Sequence, residues 1–72
     1  MADELRWDDT EELAVALTEK YPMLNPLEVR LSALRSYVTQ LPIFVDDPES
    51  GSELQLNAIQ NAWNLEWQDR QK

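Results

Sequence analysis

Apolar residues recur along this chain at helical spacing, in three blocks divided by prolines. In the first block Leu13, Ala16 and Leu17 share one face, with Tyr21 a turn further on. Asp9-Thr10-Glu11-Glu12 stands before them: a capping residue type, Glu three positions later, and acid in the first turn, where the helix dipole favours it. Pro22 ends the block, because a residue before proline avoids the α region. The pattern predicts a helix from near Asp9 to Tyr21.

Pro22-Met23-Leu24-Asn25-Pro26 then makes a rigid connector. Val29 and Leu31 alternate with charged residues, which predicts a very short strand, although residues 27–31 also suit a helix. Ser32 is placed to cap a second helix, with Leu34, Val38 and Leu41 as its stripe, Tyr37 beside it and Pro42 as its stop. Ile43-Phe44-Val45 is a short β-favouring run expected to tuck onto the core, and Asp46-Asp47-Pro48-Glu49-Ser50-Gly51 is a turn by composition. Ser50 or Ser52 can cap a third helix. Its line is Leu56, Ile59 and Trp63, widened by Leu54, Ala58, Ala62 and Leu65 and closed by Trp67. The expected fold is mainly α: a small three-helix domain with at most one short strand between the first two helices, an order that matches a helix-turn-helix or winged-helix core. It forms a single domain over 1–72, with flexible ends at 1–6 and 68–72.

Charge changes this picture most. Fourteen Asp and Glu face six Lys and Arg, for a net charge of −8, and there is no Cys and no His. The acid gathers at Asp3, Glu4, Asp8, Asp9, Glu11 and Glu12, and again at Asp46, Asp47, Glu49 and Glu53. Such a surface attracts cations and basic partners and repels nucleic acid. Arg30 and Arg35 cannot supply the usual set of phosphate contacts; they are expected to pair with neighbouring carboxylates. Without His or Cys the commonest general base, the strongest nucleophile and the usual tight transition-metal ligands are all missing. An enzyme is therefore not expected. A single Gly argues against a glycine-cradled nucleotide site. No signal-peptide pattern and no run near ~20 apolar residues is present, so a soluble cytoplasmic monomer is the expectation.

Most charge runs only solvate a surface and cap helices. The functional alternative is a docking face for a basic patch, formed by Asp8, Asp9, Glu11 and Glu12 with Asp46 and Asp47 as a second element. Carboxylates are also hard oxygen ligands; Asp8, Asp9, Glu12, Asp46, Asp47 and Glu49 are the candidates for weak, exchangeable cation binding. Trp7 and Trp63 are expected in the core. Trp67, near the end of the chain, is the candidate aromatic anchor for a partner.

Leu5-Arg6-Trp7-Asp8-Asp9, Tyr21-Pro22, Pro26, Val29-Arg30, Phe44 with Asp46-Asp47-Pro48, and Trp63 occur here in an order that resembles the IscX (YfhJ) family. The resemblance implies a modified winged helix and an accessory, non-enzymatic role in iron–sulphur cluster assembly. It implies docking through an acidic face on a cysteine desulfurase, weak binding of iron (Fe²⁺ or Fe³⁺) by surface carboxylates, and ferredoxin or other cluster-assembly proteins as further partners. A generic acidic interaction module or an iron carrier are the alternatives. The chain departs from the family pattern at Met23 and Asn25, and at Pro42, Ile43 and Val45, where relatives often carry acid. Gln60 and Asn61 stand where relatives are more apolar.

Overall fold

The computed structural model describes residues 4–71; Asp3 of the acidic stretch lies outside them, as do residues 1–3 and 72 of the ends expected to be flexible at 1–6 and 68–72. Three helices form: α1 (Thr10–Lys20), α2 (Leu31–Thr39) and α3 (Glu53–Arg70), with a 3₁₀ turn at Pro26–Glu28. The mainly α expectation holds. The one β pairing among the described residues is a parallel bridge between Leu5 and Phe44.

α1 starts and stops where the pattern places it, but its start is not a capping box. The Asp9 carbonyl accepts the first helical bond from Leu13 N–H at 2.8 Å. The Asp9 side chain faces backwards and accepts from the Arg6 N–H at 2.9 Å, so it makes no cap bond to the helix. Leu13 and Leu17 are fully buried. Thr18 is buried too and donates its hydroxyl to the Ala14 carbonyl at 2.8 Å, which satisfies the group inside its own helix.

The expected strand at 29–31 does not form. Asn25 accepts from Leu27 N–H at 3.0 Å and Pro26 opens the 3₁₀ turn, where its missing N–H costs nothing. Val29 and Arg30 are extended, yet among the described residues they pair with no other strand. Gln60 of α3 explains why: its side-chain amide donates to the carbonyls of Pro26 at 3.0 Å and Val29 at 2.7 Å. Gln60→Leu should therefore leave two partly buried acceptors short of a donor and cost about 1–3 kcal/mol, read as a lower urea midpoint by far-UV circular dichroism. An unchanged midpoint would mean that water already satisfies both carbonyls.

Arg30, not Ser32, occupies the N-cap of α2, two residues earlier than expected. The helix also stops at Thr39, ahead of Leu41 and Pro42. Leu34 and Val38 are buried from α2 and Leu41 from the turn that follows. Phe44 and its neighbours do tuck back: Leu5 N–H donates to the Ile43 carbonyl at 2.7 Å, and Val45 N–H to the Leu5 carbonyl at 2.9 Å. Leu5 is thus 2% exposed, a core residue rather than part of a loose end.

Ser52 caps α3 in a reciprocal box with Gln55: Gln55 N–H donates to Ser52 Oγ at 3.2 Å, and Ser52 N–H to Gln55 Oε1 at 3.1 Å. Leu56, Ile59 and Trp63 are buried as expected. Leu54 and Leu65 are 82% and 68% exposed, and Ala58 is exposed with them. At about 100° per residue these three lie within about 40° of each other, on the side opposite the core line. They extend a different face. α3 continues through the tail expected to fray. Arg70 bonds Glu66 at 3.0 Å and approaches Glu19 of α1 at 3.7 Å, an exposed tie between helix ends.

α1 packs mainly on α3 and α2 closes the other side. Trp7 and Trp63 are each at most 2% exposed and belong to this core. Tyr37 stands edge-on to both Tyr21 and Trp63, with ring centroids 5.0 and 6.3 Å apart. The Trp63 indole N–H is buried without a partner among the described residues.

Candidate functional site: an acidic face built on Trp7

The two acidic elements are nearly 40 residues apart in sequence, and Trp7 joins them. Its backbone N–H donates to Asp46 Oδ2 at 3.3 Å, and its indole N–H to the Asp47 carbonyl at 2.7 Å. Asp8 follows Trp7 directly, so the 46–49 turn is held beside the start of α1. Phe44 meets the Trp7 ring edge-on at 4.9 Å. Arg35 of α2 lies over the ring, its guanidinium carbon 5.5 Å from the centroid.

Arg35 fixes the far end of the turn. Its guanidinium donates to the Pro48 carbonyl at 2.7 Å and to the Gly51 carbonyl at 2.5 Å. The expectation that it pairs with carboxylates is corrected: both donors go to backbone oxygens, which have no other strand or helix to serve. For Arg30 no ion pair occurs among the described residues.

The expected site residues divide by what they already hold. Asp46 accepts from Trp7 and, through Oδ1, from Asp47 N–H at 2.8 Å. Asp47 Oδ1 accepts from Glu49 N–H at 3.0 Å, a side-chain turn of the kind Asp favours. Asp9 holds Arg6. Asp8 is exposed and accepts from the Gln55 amide at 3.0 Å. Glu11 and Glu12 are exposed and make no polar contact among the described residues. Asp8, Asp9, Glu11 and Glu12 line one shallow recess of about 280 Å³ at the start of α1. The inner carboxylates therefore build the face, and the outer ones are free to meet a partner. Glu49 lies exposed on the turn.

Trp67 is half-buried rather than displayed; its indole N–H donates to the Pro22 carbonyl at 3.0 Å. It pins the α1–α2 connector to the end of α3. Among the described residues no three carboxylates come together in an arrangement that could hold a metal ion. Asp8, Asp9, Glu12, Asp46, Asp47 and Glu49, the carboxylates expected for weak, exchangeable cation binding, are thus not gathered into one such cluster. No helix of the described chain is long and apolar enough to cross a membrane.

Arg35, Gly51, Gln55 and Gln60 escaped the sequence reading as site or scaffold residues. Only Gly51, the single glycine, carried a signal: a lone Gly after a turn suggests close backbone approach.

The sequence profile of iron–sulphur cluster assembly proteins matches residues 5–68. An uncharacterized protein of Pseudomonas aeruginosa is 44% identical over 59 residues, covering 82% of this chain and 89% of that relative. The matched span takes in Trp7, both acidic elements and the whole core. The chain belongs to the iron–sulphur cluster assembly family, the IscX (YfhJ) family.

Proposed function

We propose that this protein is a non-enzymatic accessory factor of cluster assembly that docks on a cysteine desulfurase through its acidic face and adjusts sulphur delivery. The observation that supports this reading most is the Trp7 hub, which joins two acidic segments into one surface and leaves Asp8, Glu11 and Glu12 outward. Complementary charge of this kind mainly speeds encounter and selects the partner. The protein acts as a cytoplasmic monomer in this reading, with ferredoxin or another assembly protein as a further partner. Iron contact is weak and exchangeable, made by exposed carboxylates in ones and twos.

Calorimetry with the desulfurase from the same organism tests it. Affinity should fall about tenfold or more between low salt and roughly 0.5 M salt, where the screening length drops to several ångströms. Glu11→Gln with Glu12→Gln should weaken binding and flatten that salt dependence, with the helix content unchanged. These two side chains hold nothing else among the described residues, so fold and docking separate cleanly. Unchanged affinity in the double variant would remove this face from the interaction.

A further inference from the structure

We infer that the outer side of α1 carries a groove for a cationic amphipathic helix of a protein partner, one with two basic residues seven positions apart and an apolar anchor between them. This deepens the docking reading and rests on it. The groove holds about 460 Å³, within the range of ~300–1,000 Å³ usual for ligand pockets. Its floor is apolar: Val15 and Ala16 of α1, with Ile43 from the segment that pairs with Leu5. Its rim is Glu11, Glu12 and Glu19.

Spacing gives the partner its pattern. Glu12 and Glu19 are seven residues apart, so they share a face about 10 Å apart along the axis. Ala16 lies between them and, with the smallest apolar side chain, leaves the floor open. The face therefore reads acid, gap, acid. A partner helix answering it reads base, apolar side chain, base at the same interval. Among the described residues no cation closes the groove: Lys20 turns over the Tyr21 ring at 5.8 Å. Arg70 reaches Glu19 only at 3.7 Å in a solvent-exposed contact, which a second cation can share. An anionic polymer is repelled by all three rim residues.

The probe is a synthetic helical peptide with Lys at positions i and i+7 and Leu at i+4, titrated by calorimetry and by ¹⁵N NMR. Amide shifts should centre on Val15, Ala16 and Ile43. Exchanging the peptide's Leu for Ser should weaken binding about tenfold, the scale of losing one buried Leu. Ala16→Gln, which fills the gap without altering charge, should do the same; Val15→Ser serves where Ala16→Gln shifts the circular dichroism spectrum. No binding, binding indifferent to Leu and to both variants, or shifts centred on residues 46–49 would overturn the groove. The desulfurase separates the two readings. If Ala16→Gln leaves its affinity intact while Glu11→Gln with Glu12→Gln lowers it, the groove fails and the docking face stands. If the peptide binds as stated and the desulfurase never does, the groove stands and the desulfurase reading fails.

Discussion

Trp7→Ala is expected to remove from about a quarter to all of the folding free energy and to disperse the acidic face with it. The side chain is 2% exposed, and truncating a buried Trp costs about 3–5 kcal/mol. At the usual ~0.05–0.15 kcal/mol per residue, a chain of 72 residues has about 4–11 kcal/mol in all. Nothing else can take over the ring's contacts, because Phe44, Arg35 and Gly51 all converge on it. Trp7→Phe separates ring from hydrogen bond. It keeps much of the apolar surface, and loses the indole donor to the Asp47 carbonyl together with the packing of the larger ring. That oxygen still accepts from Ser50 N–H at 3.1 Å and Ser50 Oγ at 3.0 Å, so the Phe variant should lose about 1–3 kcal/mol, less than the Ala variant. Urea denaturation followed by circular dichroism reads both. Equal losses would assign the stability to the hydrogen bond and not to the ring. At low temperature, where the Phe variant is folded, its desulfurase affinity should stay within a few-fold of the parent, since Asp46 still accepts the backbone N–H of residue 7.

The part of this architecture that the sequence displays is the part fixed by neighbours one turn away. Leu13 and Leu17, or Leu56, Ile59 and Trp63, announce their helices because a buried stripe repeats locally. Helix ends at Tyr21 and Ser52 follow from proline and cap chemistry in the same way. The misread elements are those decided at a distance. Val29 and Leu31 alternate like a strand, but two extended residues make a strand only if another backbone pairs with them. Here a side chain from α3 takes the carbonyls first. Asp9 has the capping sequence around it, yet a preceding N–H captures its carboxylate. Leu54, Ala58 and Leu65 are apolar yet lie opposite the buried stripe, as their helical angles alone require. The acidic clusters were legible residue by residue. Their union was not, because it runs through an indole N–H and a carbonyl 40 positions apart. Arg35 was legible as a charge and not as a clamp, since its partners are backbone oxygens that composition cannot mark.

Gly51→Ala sets two effects of opposite sign against each other at this same hub. The Gly51 φ is not positive, so alanine can adopt the backbone conformation. On that ground alone the substitution would stabilise the protein by about 0.4–1 kcal/mol through a less flexible unfolded chain. Packing reverses the sign. An added Cβ would lie 2.6 Å from Cδ2 and Cε2 of Trp7 and 2.8 Å from Cζ2. The ring has no free direction of retreat, with Phe44 against its edge at 4.9 Å and the Arg35 guanidinium over it at 5.5 Å. The backbone is held as well, because Arg35 binds the Gly51 carbonyl. Overpacking of this kind costs about 1–3 kcal/mol, which exceeds the entropic gain. In a domain of this size each kcal/mol lowers Tm by about 4–8 °C, so the net loss is measurable by calorimetry. The coupling identifies the cause: in a Trp7→Phe background the smaller ring should give the Cβ room, and the cost of Gly51→Ala should shrink markedly. The same cost in both backgrounds would place the strain in the turn backbone and not against the indole. A rise in Tm for Gly51→Ala alone would show that the hub yields, and that the acidic turn is held less tightly than these distances require.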